Sequence, residues 1–172
     1  MDAAVRLITR EPENCDEKEF GDFVSLVMAG GEVARRGLEA RVRRARQLIF
    51  FYTGQCLSAV AALKQPRDGY RKSVNRGAHI ELDKKTYPFE LGWVFVMPSA
   101  RGKKYSIDLT RAAVEAAAGK GIFATSRVGN HAMHAAPKAC GFLAIGEAYS
   151  SSRGVYKLQV FVRPAIRTPD RS

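Results

Sequence analysis

The sequence predicts an α/β fold, a single domain with a central sheet flanked by helices. Three observations carry this. Strand-like and helix-like segments alternate along the chain, its 172 residues suit one domain with a sizeable core, and no repeat, low-complexity tract or composition break divides it. The domain is expected to span 1–172, with a loose C-terminal tail at about 165–172. An apolar share of 46% against 26% charged is ordinary for a globular protein.

Residues 4–8 (AVRLI) suit a short first strand. Asn14 or Asp16 caps a helix through EKEFGDFVSLVMAG, where Phe20, Phe23, Val24, Val27 and Met28 recur at helical spacing. A second helix is expected over 32–46. Val33, Leu38 and Val42 give it a thin apolar stripe, and Arg35, Arg36, Arg41, Arg43, Arg44 and Arg46 crowd the rest. QLIFFYTGQ and CLSAVAALKQP read as two strands joined at Thr53-Gly54-Gln55. The polar, basic stretch 66–88 has turn signals at Asp68-Gly69 and Arg76-Gly77. It reads as a long loop with a short strand at His79–Leu82.

FELGWVFVM is a buried strand ended by Pro98. SIDLTRAAVEAAAGK is an alanine-rich helix closed by Gly119 or Gly121, and GIFATSRV is the next strand. HAMHAAPKACG is a short helix that Pro137 should kink or truncate. FLAIGEAYSS and VYKLQVFVRP form a closing strand pair around Ser151–Gly154.

The net charge is +11, from 28 Lys and Arg against 17 Asp and Glu. Such a field favours anionic partners: coenzyme phosphates, nucleic acid or an acidic surface. No run of 18 apolar residues is present, so no membrane partner is expected. The N-terminal MDAAVRLITREPENCDEKEF lacks an apolar core and carries acids, unlike a secretory signal. Three widely spaced cysteines, Cys15, Cys56 and Cys140, suit reduced thiols, so a cytoplasmic location is expected. His131 and His134 have no third ligand nearby, and no metal site is expected.

The most informative stretch runs from Phe89 to Phe142: strand, basic turn, helix, strand, asparagine, short helix, Gly-Phe. A basic turn at a helix N-terminus, directly after a buried strand, is a phosphate site, because free backbone N–H groups and the helix dipole converge there. The stretch therefore reads as the nucleotide- or coenzyme-binding half of an α/β domain.

Its order and spacings resemble the GNAT superfamily of acyl-CoA-dependent N-acetyltransferases. Members show a strand ending in Val-x-Pro, then Arg/Gln-x-x-Gly-x-Gly/Ala opening a helix. Here Val96-Met97-Pro98 precedes Arg101-Gly102-Lys103-Lys104-Tyr105-Ser106. After the next strand members have an asparagine, with Gly-Phe eleven and twelve residues on; here these are Asn130 and Gly141-Phe142. The resemblance covers most of the chain. It implies a mixed, strongly bent sheet of about six to seven strands that splays open around acetyl-CoA or another acyl-CoA.

By that resemblance the diphosphate lies on backbone N–H groups of Arg101, Gly102, Lys103, Lys104, Tyr105 and Ser106. The pantetheine arm pairs with backbone groups of Phe95, Val96 and Met97, and Asn130 bonds the coenzyme or holds the splayed strands. Lys104 and Ser106 replace the motif's two small residues. Pro137 stands where many members have a tyrosine acid, leaving Tyr149 as the candidate acid, with Tyr156, His134 and Cys140 as substitutes. Glu90 is the candidate base, with Glu81 and Asp83 as alternatives. The implied reaction is direct transfer from acetyl-CoA to a primary amine. The acceptor is a protein amine or one linked to nucleic acid (aminoacyl-tRNA or a DNA base), engaged through the arginine-rich segment 32–46. Two alternatives stay open: a GNAT-fold nucleic-acid-binding protein without catalysis, and a small-amine acetyltransferase. A homodimer also stays open.

Overall fold

The structure, a computed structural model, describes residues 3–166. Seven strands form one open mixed sheet: β1 (Val5–Arg10), β2 (Gln47–Thr53), β3 (Cys56–Lys64), β4 (Phe89–Val96), β5 (Ile122–Arg127), β6 (Leu143–Ser150) and β7 (Lys157–Arg163). Their order is β1-β2-β3-β4-β5-β7-β6. All neighbours are antiparallel except β4 and β5, which run parallel and pair only at Phe89–Ile122 and Glu90–Phe123. Beyond Glu90 the two strands part. A parallel pair needs a crossover, and here it is the α-helix that follows the basic turn.

Strand alternation explains why both faces are covered. Leu48, Phe50, Val60 and Ala62 pack with α1 (Glu17–Ala29) and α2 (Leu38–Arg43). Their neighbours Ile49, Phe51, Ala59, Ala61 and Leu63 pack with α4 (Tyr105–Ala116) on the opposite face. A third cluster joins Val74 and Ala78 of α3 (Asp68–Ala78) to Phe123, Val160 and Val162. The last helix, α5 (His131–Ala139), contacts α4.

Two expected elements are corrected. The arginine-rich helix expected over 32–46 shrinks to Leu38–Arg43, because Gly37 takes a left-handed φ of 72° at its N-terminus. Arg35 and Arg36 fall in the preceding turn. Stretch 66–88 is not a loop with a strand at His79–Leu82; it opens with α3. Asp68-Gly69 and Arg76-Gly77 read as turns, but they lie within the helix. Its buried residues are Arg71, Val74 and Ala78, a helical i, i+3, i+7 stripe hidden because its first member is an arginine. The Arg71 guanidinium donates to the Leu82 and Tyr87 carbonyls at 3.1 and 2.7 Å, tying down the chain that follows.

Asp16, not Asn14, caps α1, in a capping box with Glu19. Pro137 lies within α5, which continues to Ala139; in the last turn it removes few helical bonds. Of the expected tail, Ala165 and Ile166 are described, and the Ile166 N–H donates to the Gly119 carbonyl at 2.9 Å. The rest lies outside the described residues. Among those residues no helix is long and apolar enough to cross a membrane.

Gly121 shows how tightly the α4–β5 connection is built. A Cβ there would stand 2.1 Å from the Thr86 carbonyl oxygen and 2.9 Å from the Tyr87 ring. Gly121→Ala is therefore expected to cost about 2–3 kcal/mol and to lower Tm by roughly 5–10 °C. Thermal unfolding followed by circular dichroism checks this; an unchanged Tm contradicts it.

Candidate active site

The parting of β4 and β5 opens a cleft of about 1250 Å³. Its floor is β4. A bulge interrupts that strand: Val60 and Ala62 on β3 oppose Phe95 and Gly92, so the step of two on β3 meets a step of three on β4. Trp93 sits in the bulge with a φ of 51°, a left-handed value rare for an aromatic residue. A glycine precedes it for a steric reason. A Cβ on Gly92 would lie 2.5 Å from Lys64 Cδ.

Past β4 the chain makes a single 3-10 turn (Pro98–Ala100) and enters α4. Arg101 donates its N–H to the Pro98 carbonyl. The next five N–H groups, of Gly102, Lys103, Lys104, Tyr105 and Ser106, have no acceptor among the described residues. Lys104 occupies the position just before α4 with φ 62° and ψ 24°. The lysine thus adopts the conformation that glycine would take without strain. Side chains or backbone of Arg101, Gly102, Lys104, Tyr105 and Ser106 line the cleft. The Tyr105 ring stacks on Phe51, with centroids 4.2 Å apart, and holds the start of α4 against the core.

The three residues expected to bond an extended ligand differ. Met97 donates its N–H to the Ser58 carbonyl at 2.9 Å and accepts from the Ala100 N–H at 2.8 Å. Both its backbone groups are satisfied, so the expectation of free groups at Met97 is corrected. Phe95 pairs with Val60 on β3. Strand alternation then aims the backbone of Val96 away from β3, into the cleft, where Arg101 Nε donates to its carbonyl at 3.1 Å. Asn130 caps α5, its side-chain oxygen accepting from the Met133 N–H at 3.3 Å. It also lines the cleft.

At the start of β4, Glu90 is 3% exposed. Its Oε1 accepts from Lys64 Nζ at 2.8 Å, across a β3–β4 register pair. Its Oε2 is buried without a partner among the described residues. Lys64 Nζ also stands 4.6 Å from the Trp93 ring centroid and 5.8 Å from that of Tyr70. Two aromatic faces and a carboxylate thus cradle one ammonium. Tyr70 OH lies 3.5 Å from Thr125 Oγ1. Tyr70 is 39% exposed as a residue, yet burial, then the Glu90 charge, push its pKa well above the usual tyrosine value.

Tyr149 completes this end. Its ring packs on α3, where a Cβ at Gly77 would meet it at 2.6 Å. Burial, then the Glu90 charge, push the phenol up to about 12. The folded form therefore keeps its proton between the ordinary value of 10 and about 12, while the unfolded chain loses it. Stability from Tyr149 is full below pH 10 and falls as pH rises toward 12. Tyr149→Phe is expected to flatten that alkaline decline in urea-unfolding midpoints; an identical decline contradicts it.

Of the other substitutes for the acid, Tyr156 lines the cleft and carries the Arg127 guanidinium over its ring at 3.8 Å. His134 bonds the Arg127 carbonyl through Nε2 at 2.8 Å, and Cys140, its thiol pushed up by burial, points at the Ile107 carbonyl. Neither is among the cleft-lining residues. Glu81 and Asp83 also lie off the lining, and the Thr86 side chain first, then the Thr86 and Lys85 N–H groups, hold Asp83 below the usual carboxylate range. The arginines split. Arg41 and Arg44 line the cleft, while Arg43 stacks on Phe20 and Arg46 pairs with Glu11. Among the described residues no three His, Cys, Asp or Glu side chains gather as a metal site. Sequence reasoning missed Tyr70 and the pairing of Lys64 with Glu90. The first was hidden with α3, and the second is a contact between strands 26 residues apart.

An open mixed sheet splayed beside a free helix N-terminus is the architecture of the GNAT acetyltransferases, and this chain has that fold. No family model and no curated protein sequence matches the chain. Solved structures match it closely in shape. ElaA of Escherichia coli superposes with a TM-score of 0.68 at 14% identity, covering 93% of this chain and 99% of its own. An acetyltransferase of the GNAT family from Streptococcus pneumoniae gives 0.63 at 11%, covering 93% and 99%. The yncA protein of Salmonella typhimurium, solved with its cofactor acetyl-CoA, gives 0.65 at 15%, covering 98% and 99%.

Proposed function

We propose that this chain is an acyl-CoA-dependent N-acetyltransferase that transfers directly to a primary amine. The observation that carries the reading is the run of five unpartnered N–H groups at 102–106, set at the mouth of the β4–β5 splay. Such a cradle fits a diphosphate: the amides, the α4 dipole and the Lys104 charge all favour an anion. Val96 has the backbone groups suited to an amide-bearing arm once Arg101 Nε releases its carbonyl. Bound acyl-CoA would supply the acyl group as a thioester.

The remaining chemistry belongs to side chains. An acceptor amine must lose a proton to attack. Glu90 Oε2, buried and without a partner, is the acceptor for that proton, directly or through water. Lys64 neutralises the carboxylate from the other oxygen and keeps it oriented. Tyr149, protonated throughout the neutral range, supplies a hydrogen-bond donor in place of the tyrosine that Pro137 displaces. Asn130 fixes the start of α5 and so the cleft's far wall.

Calorimetric titration of acetyl-CoA, with thiol release measured over a panel of amines, tests the reading. Micromolar binding and amine-dependent thiol release are expected. A folded chain that binds no acetyl-CoA sinks it and leaves a GNAT-fold nucleic-acid-binding protein without catalysis.

A further inference from the structure

Nine lysines and arginines line the cleft against two acids, Glu32 and Glu90. Both acids are engaged: Glu32 Oε1 lies 3.3 Å from Arg127 Nε, and Glu90 holds Lys64. The surplus is unevenly placed. Arg101 and Lys104 follow the end of β4. Arg41, Arg44, Arg67 and Arg153 come together elsewhere, from four different elements: α2, the α2–β2 junction, the β3–α3 connection and the β6–β7 loop. None of these four forms an ion pair among the described residues.

The fold brings them there deliberately in the sense that specific bonds hold each segment. The Arg46 N–H donates to the Leu63 carbonyl at 2.8 Å, and Gln65 Nε2 donates to the Arg44 carbonyl at 3.2 Å. These lock the end of α2 to the end of β3. Arg41 is half-buried and its guanidinium donates to the Arg36 and Ala34 carbonyls. Arg153 Nη1 donates to the Glu32 carbonyl at 3.4 Å, bringing the β6–β7 loop to the same rim. Burial first, then the charges of Arg153, Arg44 and Arg67, hold Arg41 below the usual guanidinium value, as mutual repulsion in one field requires. Like charges gathered without counter-charges favour a ligand that supplies them.

We infer that the arginine cluster of Arg41, Arg44, Arg67 and Arg153 is an acceptor subsite for phosphate, so that the amine acetylated here carries a phosphoryl group. The inference rests on the transferase reading and names its substrate class. Position supports it. Arg67 is three residues from Lys64, a span of at most about 10 Å, so this arginine stands near the Glu90 end of β4. The 102–106 cradle follows the other end of that eight-residue strand. The cluster shares no residue with the 102–106 cradle, so it can hold a second anion. Guanidinium forks suit phosphate oxygens better than ammonium groups do. A cationic amine lacking phosphate would be repelled at this rim.

The test compares 2-aminoethyl phosphate, 2-aminoethanol and a short single-stranded oligonucleotide with a 5′-aminohexyl phosphodiester as acceptors. Each is run with the wild-type chain, Arg44→Glu/Arg67→Glu, and the charge-matched Arg6→Glu/Lys18→Glu control on residues outside the cleft lining. A phosphate-bearing amine is expected to be used at least about tenfold more efficiently than 2-aminoethanol, and the cleft reversal alone is expected to remove that gain. A gain for 2-aminoethyl phosphate indicates a small phosphorylated amine; a gain confined to the oligonucleotide indicates nucleic acid. If acetyl-CoA binds but phosphate brings no gain, or the cleft reversal leaves the gain intact, the subsite is overturned while the transferase reading stands. If acetyl-CoA does not bind, the transferase reading fails separately. Fluorescence anisotropy with the labelled oligonucleotide then reads the cluster alone: affinity lost only in the cleft reversal supports a phosphate site, and affinity unchanged there overturns it.

Discussion

Lys104→Glu should weaken acetyl-CoA binding by roughly thirtyfold to a hundredfold. The residue stands immediately before α4, beside five N–H groups without partners. A cation there adds to the helix dipole, an effect of about 0.3–1 kcal/mol, and a charge-assisted bond to phosphate adds about 1.5–3 kcal/mol. Reversal removes both and sets a carboxylate against the incoming anion, so a loss of about 2–3 kcal/mol is a cautious sum. Lys104→Gly separates charge from backbone. The lysine holds φ 62°, so glycine should raise stability by about 1 kcal/mol while keeping the cradle's shape. Its acetyl-CoA affinity should fall by less than that of the glutamate variant. Calorimetry with both variants at fixed, moderate salt checks this. Equal affinity in Lys104→Glu and wild type would place the diphosphate elsewhere.

The same residue marks the boundary of what the sequence makes legible. The turn at 101–106 is readable because its chemistry is local: a strand end, a proline, a basic run and a helix start lie within ten residues of chain. Its left-handed geometry was not, since Lys104 stands where the resembling motif has glycine and lysine disfavours a positive φ. Strands β2 to β5 were legible because apolar runs bounded by turn residues have few alternatives. The α3 helix was not, because a buried arginine broke its apolar stripe and glycines at 69 and 77 mimicked turns. Gly77 is there for Tyr149, a residue from strand β6, and no local pattern carries that reason. The arginine-rich segment misled in the opposite direction. Its composition suited a long helix, yet Gly37 breaks it and its arginines go to different tasks: Arg43 on Phe20, Arg46 on Glu11, Arg41 and Arg44 into the cleft. Site residues that act through contacts across the sheet, above all Lys64 with Glu90, become visible only when the strands are placed side by side.

Glu90→Gln should lower kcat by at least about a hundredfold with little change in the KM for acetyl-CoA. A glutamine keeps the shape and still accepts from Lys64, but it cannot take a proton from the acceptor. Stability is the competing explanation, because Glu90 is 3% exposed and its partner's ammonium is held 2.8 Å away. Breaking a buried pair by removing one member typically costs about 3–5 kcal/mol, far more than exposed pairs cost. Lys64 is partly exposed and packed against Trp93 and Tyr70, so the loss here should fall at or below the lower end of that range. Lys64→Met resolves the two explanations. It should destabilise the fold at least as much as Glu90→Gln, since it leaves the buried carboxylate unpaired, yet it should keep measurable turnover because the proton acceptor survives. If Lys64→Met and Glu90→Gln lose kcat equally while unfolding midpoints fall equally, Glu90 is a structural partner only and the proton goes to another group. If turnover tracks Glu90 while stability tracks the pair, the carboxylate has both roles: Oε1 anchors the strand end through Lys64, and Oε2 serves the reaction.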